Sequence, residues 1–198
     1  MKPFSQACEN NKVPILDVIR NYFSHARHLL EIGSGTGQHA VFFAAQLPEL
    51  TWQTSDLAEN HAGIMAWIHE AGLRNVSAPL LLDVTSRRWP IAETDGVFSA
   101  NTAHIMDWPA VRSMFTGVGK VLRPGGYFCL YGPFNFNGQY TSDSNEAFDR
   151  MLRERDPDSG LRDFTDLQSQ AAHHGMQLVN RHPMPANNFL LVWQKTNG

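Results

Sequence analysis

The sequence predicts a doubly wound α/β fold: a seven-stranded, mostly parallel sheet with an antiparallel last strand and helices on both faces. Three observations carry this reading. Stretches of alternating apolar residues succeed stretches of helical period along most of the chain. A glycine-rich turn follows the first strand and opens a helix. Two strand-like stretches at the end are joined by Pro183-Met184-Pro185-Ala186-Asn187-Asn188, a hairpin-length connection that makes them antiparallel to each other.

The elements follow in chain order. Ile15, Leu16, Ile19 and Phe23 give a helix over Val13–Phe23, with Pro14 tolerated in its first turn. His28–Ile32 is a short apolar run, the first strand. Ala40, Phe43, Ala44 and Leu47 share a helical face in Gln38–Leu47, which Pro48 stops. Trp52 and Thr54 alternate in a second strand, Thr51–Ser55. Ile64, Trp67, Ile68 and Ala71 mark a helix that Gly72 terminates. Pro79–Leu82 and Gly96–Ala100 are the third and fourth strands. Asp107 caps a helix running through Val111, Met114, Phe115, Val118 and Leu122, and Tyr127–Tyr131 is the fifth strand. Gly132 to Asp143 reads as a polar, aromatic loop. Ala147, Phe148, Met151 and Leu152 then give a helix, and Asp163 caps another that ends at Gly175. Met176–Arg181 and Phe189–Gln194 are the closing strands.

Composition narrows the function classes. The chain has 198 residues, 42% hydrophobic and 18% charged, which fits one globular domain with its own core. The formal net charge of −3 supplies no basic excess for a run of phosphates, so a nucleic-acid partner is not expected. Two cysteines, Cys8 and Cys129, exclude a disulfide framework and a four-cysteine zinc site. The first residues carry no apolar signal region, and no apolar run approaches the roughly 20 residues that span a bilayer. The expectation is a soluble, cytoplasmic protein with no membrane partner. Its histidines show no metal-ligating pattern: His25 with His28 and His173 with His174 lack a carboxylate or cysteine companion, and no metal is assigned.

The chemistry begins at Glu31-Ile32-Gly33-Ser34-Gly35-Thr36-Gly37. Glycines between a strand and a helix allow a tight turn and a close backbone approach to a ligand. Asp56 stands 19 residues beyond Gly37, at the end of the second strand, where a carboxylate can accept from both hydroxyls of a ribose. Asp83 occupies the matching place after the third strand, where an acid can take a donor from an adenine amine. A nicotinamide cofactor also uses an acid in this position. Its fingerprint is Gly-x-Gly-x-x-Gly, however, and here the third glycine comes one residue early.

Glu31-x-Gly33-x-Gly35-x-Gly37 resembles motif I of the class I S-adenosylmethionine-dependent methyltransferases, and Leu122-Arg123-Pro124-Gly125-Gly126 resembles that family's post-helix turn. The terminal hairpin is similar to its antiparallel last strand. More narrowly, Glu9-Asn10-Asn11-Lys12-x-Pro14-Ile15-Leu16, Tyr131-Gly132-Pro133-Phe134 and Thr141-Ser142-x-Ser144-Asn145-x-x-Phe148-Asp149 resemble the uncharacterised domain of unknown function 938, or methyltransferase-like protein 26, family. That family usually shows Arg-Asn-Lys where this chain has Asn10-Asn11-Lys12. The resemblance implies a Rossmann-like domain over residues 1–198, methyl transfer from S-adenosylmethionine to a small molecule, and Glu31 near the cofactor's methionine amine. The implied cofactor residues are Glu31, Gly33, Ser34, Gly35, Gly37, Asp56, Leu57, Asp83, Val84 and Asn101.

On the acceptor side, Asn101 and His104 follow the fourth strand, at the edge where the methyl group would sit, and His104 is the candidate base. Asn10, Lys12, Tyr131, Phe134 and Tyr140 are the candidate acceptor-pocket residues, with 1–27 as an N-terminal lid helix and 132–163 as an acceptor-side insertion. Asn101-Thr102-Ala103-His104 is not the Pro-Pro-aromatic motif with which DNA amino-methylating enzymes stack a flipped base. The arginines and acids between Asp149 and Asp163 read as a solvated face with ion pairs. Two alternatives stand beside methyl transfer: a non-catalytic cofactor- or partner-binding domain, and a nicotinamide oxidoreductase.

Overall fold

The computed structural model describes residues 2–197. In chain order its elements are α1 (Gln6–Tyr22), β1 (His28–Ile32), α2 (Gln38–Gln46), β2 (Thr51–Asp56), α3 (His61–Ala71), β3 (Val76–Leu81), β4 (Thr94–Ala100), α4 (Trp108–Val121), β5 (Leu122–Gly132), β6 (Phe134–Asn135), α5 (Asp143–Arg155), β7 (Arg162–Asp163), α6 (Phe164–His173), β8 (Met176–Met184) and β9 (Asn188–Lys195). Seven strands form one sheet in the order β3-β2-β1-β4-β5-β9-β8. All neighbours are parallel except those of β9, which runs antiparallel to both β5 and β8. The doubly wound fold with an antiparallel last strand is therefore the observed one.

The pleat divides the core in two. On β1, Leu29 packs with one cluster while Leu30 and Ile32 pack with the other. On β5, Cys129 and Tyr131 face the first cluster, Phe128 and Leu130 the second. The first is closed by α1 and α2 through Ile15, Leu16, Ile19, Phe43 and Ala44. The second is closed by α4 and α6 through Val111, Met114, Phe115, Val118 and Leu167. Each Ile, Leu, Val, Met or Phe among these, fully buried, contributes roughly 1.5–3 kcal/mol.

Helix α1 starts seven residues before the expected Val13, because Ser5 caps it: the Ser5 hydroxyl accepts from Cys8 N at 3.3 Å. Pro14 thus lies in the helix interior rather than its first turn, and Asn10-Asn11-Lys12 are helical. The expected loop after β5 contains a short strand, β6, paired in parallel with β7 to form a separate two-stranded sheet. Leu122-Arg123-Pro124-Gly125-Gly126 belongs to β5 itself, with Gly125 in the left-handed region. Between β8 and β9 the connection shortens to Pro185-Ala186-Asn187: Asn188 N donates to Pro185 O, with φ of 59° at Ala186 and 57° at Asn187. Positive φ at both central residues matches the strand twist and makes this a tight hairpin turn.

Candidate active site at the strand ends

Strand order reverses at β1, whose neighbours are β2 and β4. Loops leaving these strands diverge there and leave a crevice at the carboxyl edge. A cavity of about 930 Å³ occupies it. Its walls come from the loop after β1 (Gly33 to Thr36), the ends of β2 (Asp56, Leu57, Asn60) and β3 (Leu82, Asp83, Val84), and the turn after β4 (Asn101, Thr102, His104). Ser5, Ala7 and Cys8 from the start of α1 cover one side, and Asn145 and Phe148 of α5 with Ala186 and Asn188 of the hairpin cover the other.

The three loop glycines have three different jobs. Gly33 (φ 70°) packs so close to the turn after β4 that a β-carbon would meet Thr102 Cγ2 at 2.6 Å. Gly37 (φ 89°) abuts α3, where a β-carbon would lie 3.0 Å from Ile64 Cα, and it does not line the cavity. Gly35 (φ 57°) has nothing within 4 Å of a β-carbon position and lines the cavity, so a side chain there would project into ligand space. Ser34 anchors the loop: its N donates to Ser55 O at 3.0 Å and its hydroxyl accepts from Ser55 N at 3.1 Å.

Asp56 is held by the loops it joins. Its Oδ2 accepts from Gly35 N at 2.7 Å, and its Oδ1 from Leu57 N at 2.7 Å and Asn60 Nδ2 at 2.8 Å. A carboxylate has about four acceptor sites, so one remains unless Asn60 moves. Asp83 accepts from Thr85 N and Oγ1, and these bonds hold its carboxyl below the usual range. Glu31 does not reach the cavity. It follows Leu29 on the face toward α2, where its Oε2 accepts from the Trp52 indole at 3.0 Å. Burial pushes its pKa up to about 7, against the Trp52 and Ser34 hydrogen bonds and with the Asp56 charge. Glu31, expected near a cofactor's methionine amine, lies beneath the loop and off the cavity wall, bonded to Trp52.

Asn101 adopts φ 58°, and its N donates to Tyr131 O at 2.9 Å. His104 lines the cavity and is buried, its ring edge-on to Phe148 at 5.4 Å. Burial, then the Arg162 cation, lower its pKa to about 4, so the ring is neutral at pH 7. Arg162 is no solvated ion pair: it donates to the carbonyls of Ala103 (3.0 Å), Met106 and Asp158 (2.8 Å) and fixes the turn that carries His104.

The other acceptor-side candidates do not line the cavity. Asn10 is exposed and accepts from Gln6 Nε2, while Lys12 pairs with Glu9, because helix formation turns both away from the cavity. Tyr131 lies on the α1 face of β5, its hydroxyl bonded to Asn11 and Asn188. Phe134 is buried in the core on the α4 face. Tyr140 points outward and donates to Asp149 Oδ2 at 2.8 Å.

His39, which the sequence reading did not single out, does line the cavity, and Asn11 and Gln38 act behind it. Asn11 Oδ1 lies 2.7 Å from His39 Nε2, both buried, so Nε2 carries the proton. His39 lines the cavity, stacks on Phe43 at 5.2 Å, and has its pKa lowered by burial to about 4. The available signal was a buried-helix pattern in which His39 and Gln38 interrupt the apolar residues. Gln38 clasps α1: its Oε1 accepts from Ser5 N at 2.5 Å, and its Nε2 donates to Glu9 Oε1 at 2.8 Å.

The fold is shared with solved structures described as O-methyltransferases. An O-methyltransferase family protein from Burkholderia thailandensis superposes with a TM-score of 0.84 at 18% identity, over 94% of this chain and 57% of that one. An O-methyltransferase family 2 protein from Planctomyces limnophilus, in complex with apigenin, gives 0.85 at 16% identity, over 96% and 58%. A structure described as PigF with SAH gives 0.78 at 16%, over 92% and 55%. This chain thus spans a little over half the length of these proteins, and the likeness at such identity is one of fold. The chain itself belongs to the family described as Protein of unknown function (DUF938), whose model matches residues 2–195.

Proposed function

We propose that this protein transfers a methyl group from S-adenosylmethionine to a small-molecule acceptor held in the same cavity. The observation that carries the reading is a single cavity of about 930 Å³ reaching from the glycine loop past Asp56 and Asp83 to His104 and Phe148. That volume is at the upper end for small-molecule sites and suits a nucleoside-sized ligand with a second small one. The open space over Gly35 is the fit test: backbone is bare where a ligand must approach. Gly33, Ser34 and Gly35 would hold the amino-acid portion, Asp56 and Leu57 the ribose, and Asp83 and Val84 the adenine.

When bound, S-adenosylmethionine would supply an electrophilic methyl group to the acceptor's lone pair. The protein's task is mainly alignment. Asn101 and His104 stand at the acceptor end, and neutral His104 takes the proton when the acceptor is a hydroxyl. The start of α1 and the 132–163 segment would exclude water from the reacting pair.

Titration calorimetry with S-adenosylhomocysteine and with NAD tests the cofactor, and transfer of labelled methyl groups over a metabolite panel tests the reaction. Binding of S-adenosylhomocysteine without NAD supports the proposal. NAD binding alone would return the chain to the oxidoreductases. Cofactor binding without transfer to any acceptor would favour the non-catalytic reading.

A further inference from the structure

A second cavity, of about 400 Å³, lies outside the first, between the β3–β4 connection and helix α4. It is built rather than incidental. Trp89 rests directly on α4, and a β-carbon at Gly117 would lie 2.0 Å from its ring, so the bare helix at that position is what admits the indole. The connection is thereby pinned to the helix and the groove keeps its shape.

Its charge is one-sided. Arg87, Arg88 and Lys120 line it, and no aspartate or glutamate does. Among the described residues none of these three cations makes an ion pair. The carboxylates closest in sequence are engaged elsewhere: Asp83 with Thr85, and Glu93 with Arg123 at 2.5 Å. In a chain of formal charge −3, three unpaired cations around one small cavity run against the overall balance. They repel one another until an anion enters. Trp89 and Ile91 supply an apolar wall, and Ser113 adds a hydroxyl donor.

We infer that this groove is a second binding site, for a small organic anion whose phosphate or carboxylate meets Arg87, Arg88 and Lys120 and whose aromatic or apolar body lies against Trp89. Arginine forks suit either oxyanion, and the volume is within the range of small-ligand sites. The two cavities adjoin at Val84, which lines both.

The test uses the full chain without cofactor, with phenyl phosphate as the probe, phenol as its uncharged counterpart, and benzoate to separate carboxylate from phosphate. Phenyl phosphate or benzoate, or both, should bind saturably in calorimetry at millimolar concentration, with phenol at least about tenfold weaker. R87Q/R88Q/K120Q, three exposed side chains whose loss leaves the fold intact, should weaken the anion at least about tenfold. R20Q, an exposed arginine on α1, should leave it within about twofold. Absence of saturable binding by either anion overturns the inference. So does equal binding of phenol, or an affinity that R87Q/R88Q/K120Q leaves unchanged or R20Q lowers as much.

Discussion

Gly35 and His104 both line the cavity, and each makes a separate prediction. Gly35→Val places a branched side chain in ligand space at a φ of 57°, a surface-loop strain of roughly 1–2 kcal/mol. S-adenosylhomocysteine binding should be lost while circular dichroism and the melting transition stay near those of the parent. His104→Ala should lower turnover while leaving S-adenosylhomocysteine affinity within about twofold, or ~0.4 kcal/mol. Because burial and Arg162 hold His104 near 4, the acid limb of its pH–rate profile should fall near pH 4 rather than near 6.5. A limb at 6.5 would mean that another group supplies the base. These residues were legible in the sequence because a glycine turn and a histidine after a strand are local signals. Glu31 sits one residue from Ile32, which lines the cavity, and period-two alternation turns it to the other face, toward Trp52. His39 stayed unread because its polarity is expressed only through Asn11, 28 residues away.

Helix α1 is the element whose role changed most between sequence and structure. The expectation was a segment around Asn10–Lys12 free to close over a ligand. Instead α1 is fastened by Gln38 at its start and by the Asn11–His39 pair in its middle. Asn11→Leu removes the acceptor for His39 Nε2–H and leaves a buried donor unmet, at a cost of about 1–3 kcal/mol. Amide exchange over Gln6–Tyr22 should accelerate and cofactor affinity should fall together. Faster exchange with unaltered affinity would show that α1 is a cover without a part in binding. The 132–163 segment is locked differently. Asp149 is buried, which raises its pKa, but Arg153, Tyr140 and Leu161 N outweigh burial and keep it ionised below the usual range. The Arg153–Asp149 pair was legible as an i,i+4 spacing on a helix, whereas the contacts of Tyr140 and Leu161 with Asp149 carry no local pattern.

For the molecule as a whole, the order of elements was readable because alternation of period is repeated along the chain, whereas strand ends were short by several residues wherever pairing alone, without apolar pattern, extended them. Three strongly shifted buried groups set a pH dependence. His39 and His104 fall from 6.5 to about 4 on folding, so the stability they lend is complete above pH 6.5 and lost as pH falls toward 4. Glu31 rises from 4.5 to about 7, so its contribution is complete below pH 4.5 and lost as pH rises through 7. Between 4.5 and 6.5 two groups favour higher pH against one, and between 6.5 and 7 only Glu31 acts. Urea melts should therefore show greatest stability near pH 6.5. His39→Gln should flatten the acid side, and a maximum that does not move toward lower pH in that variant would contradict the assignment.

Strand β9 enters the sheet between β5 and β8, and the hairpin that leads into it brings Ala186 and Asn188 to the same cavity as Ser5. On a ribosome, everything up to Arg181 can emerge while the edge of β5 still lacks its partner. Such an edge is a template for wrong pairing. Nor does the nascent chain yet have the whole pocket, because Ala186 and Asn188 of the hairpin complete a wall that Asn145 and Phe148 begin. A ligand in this cavity would meet the hairpin's part of the wall only once Asn188 has been added, so a newly made chain must reach that point unaided or under chaperone cover.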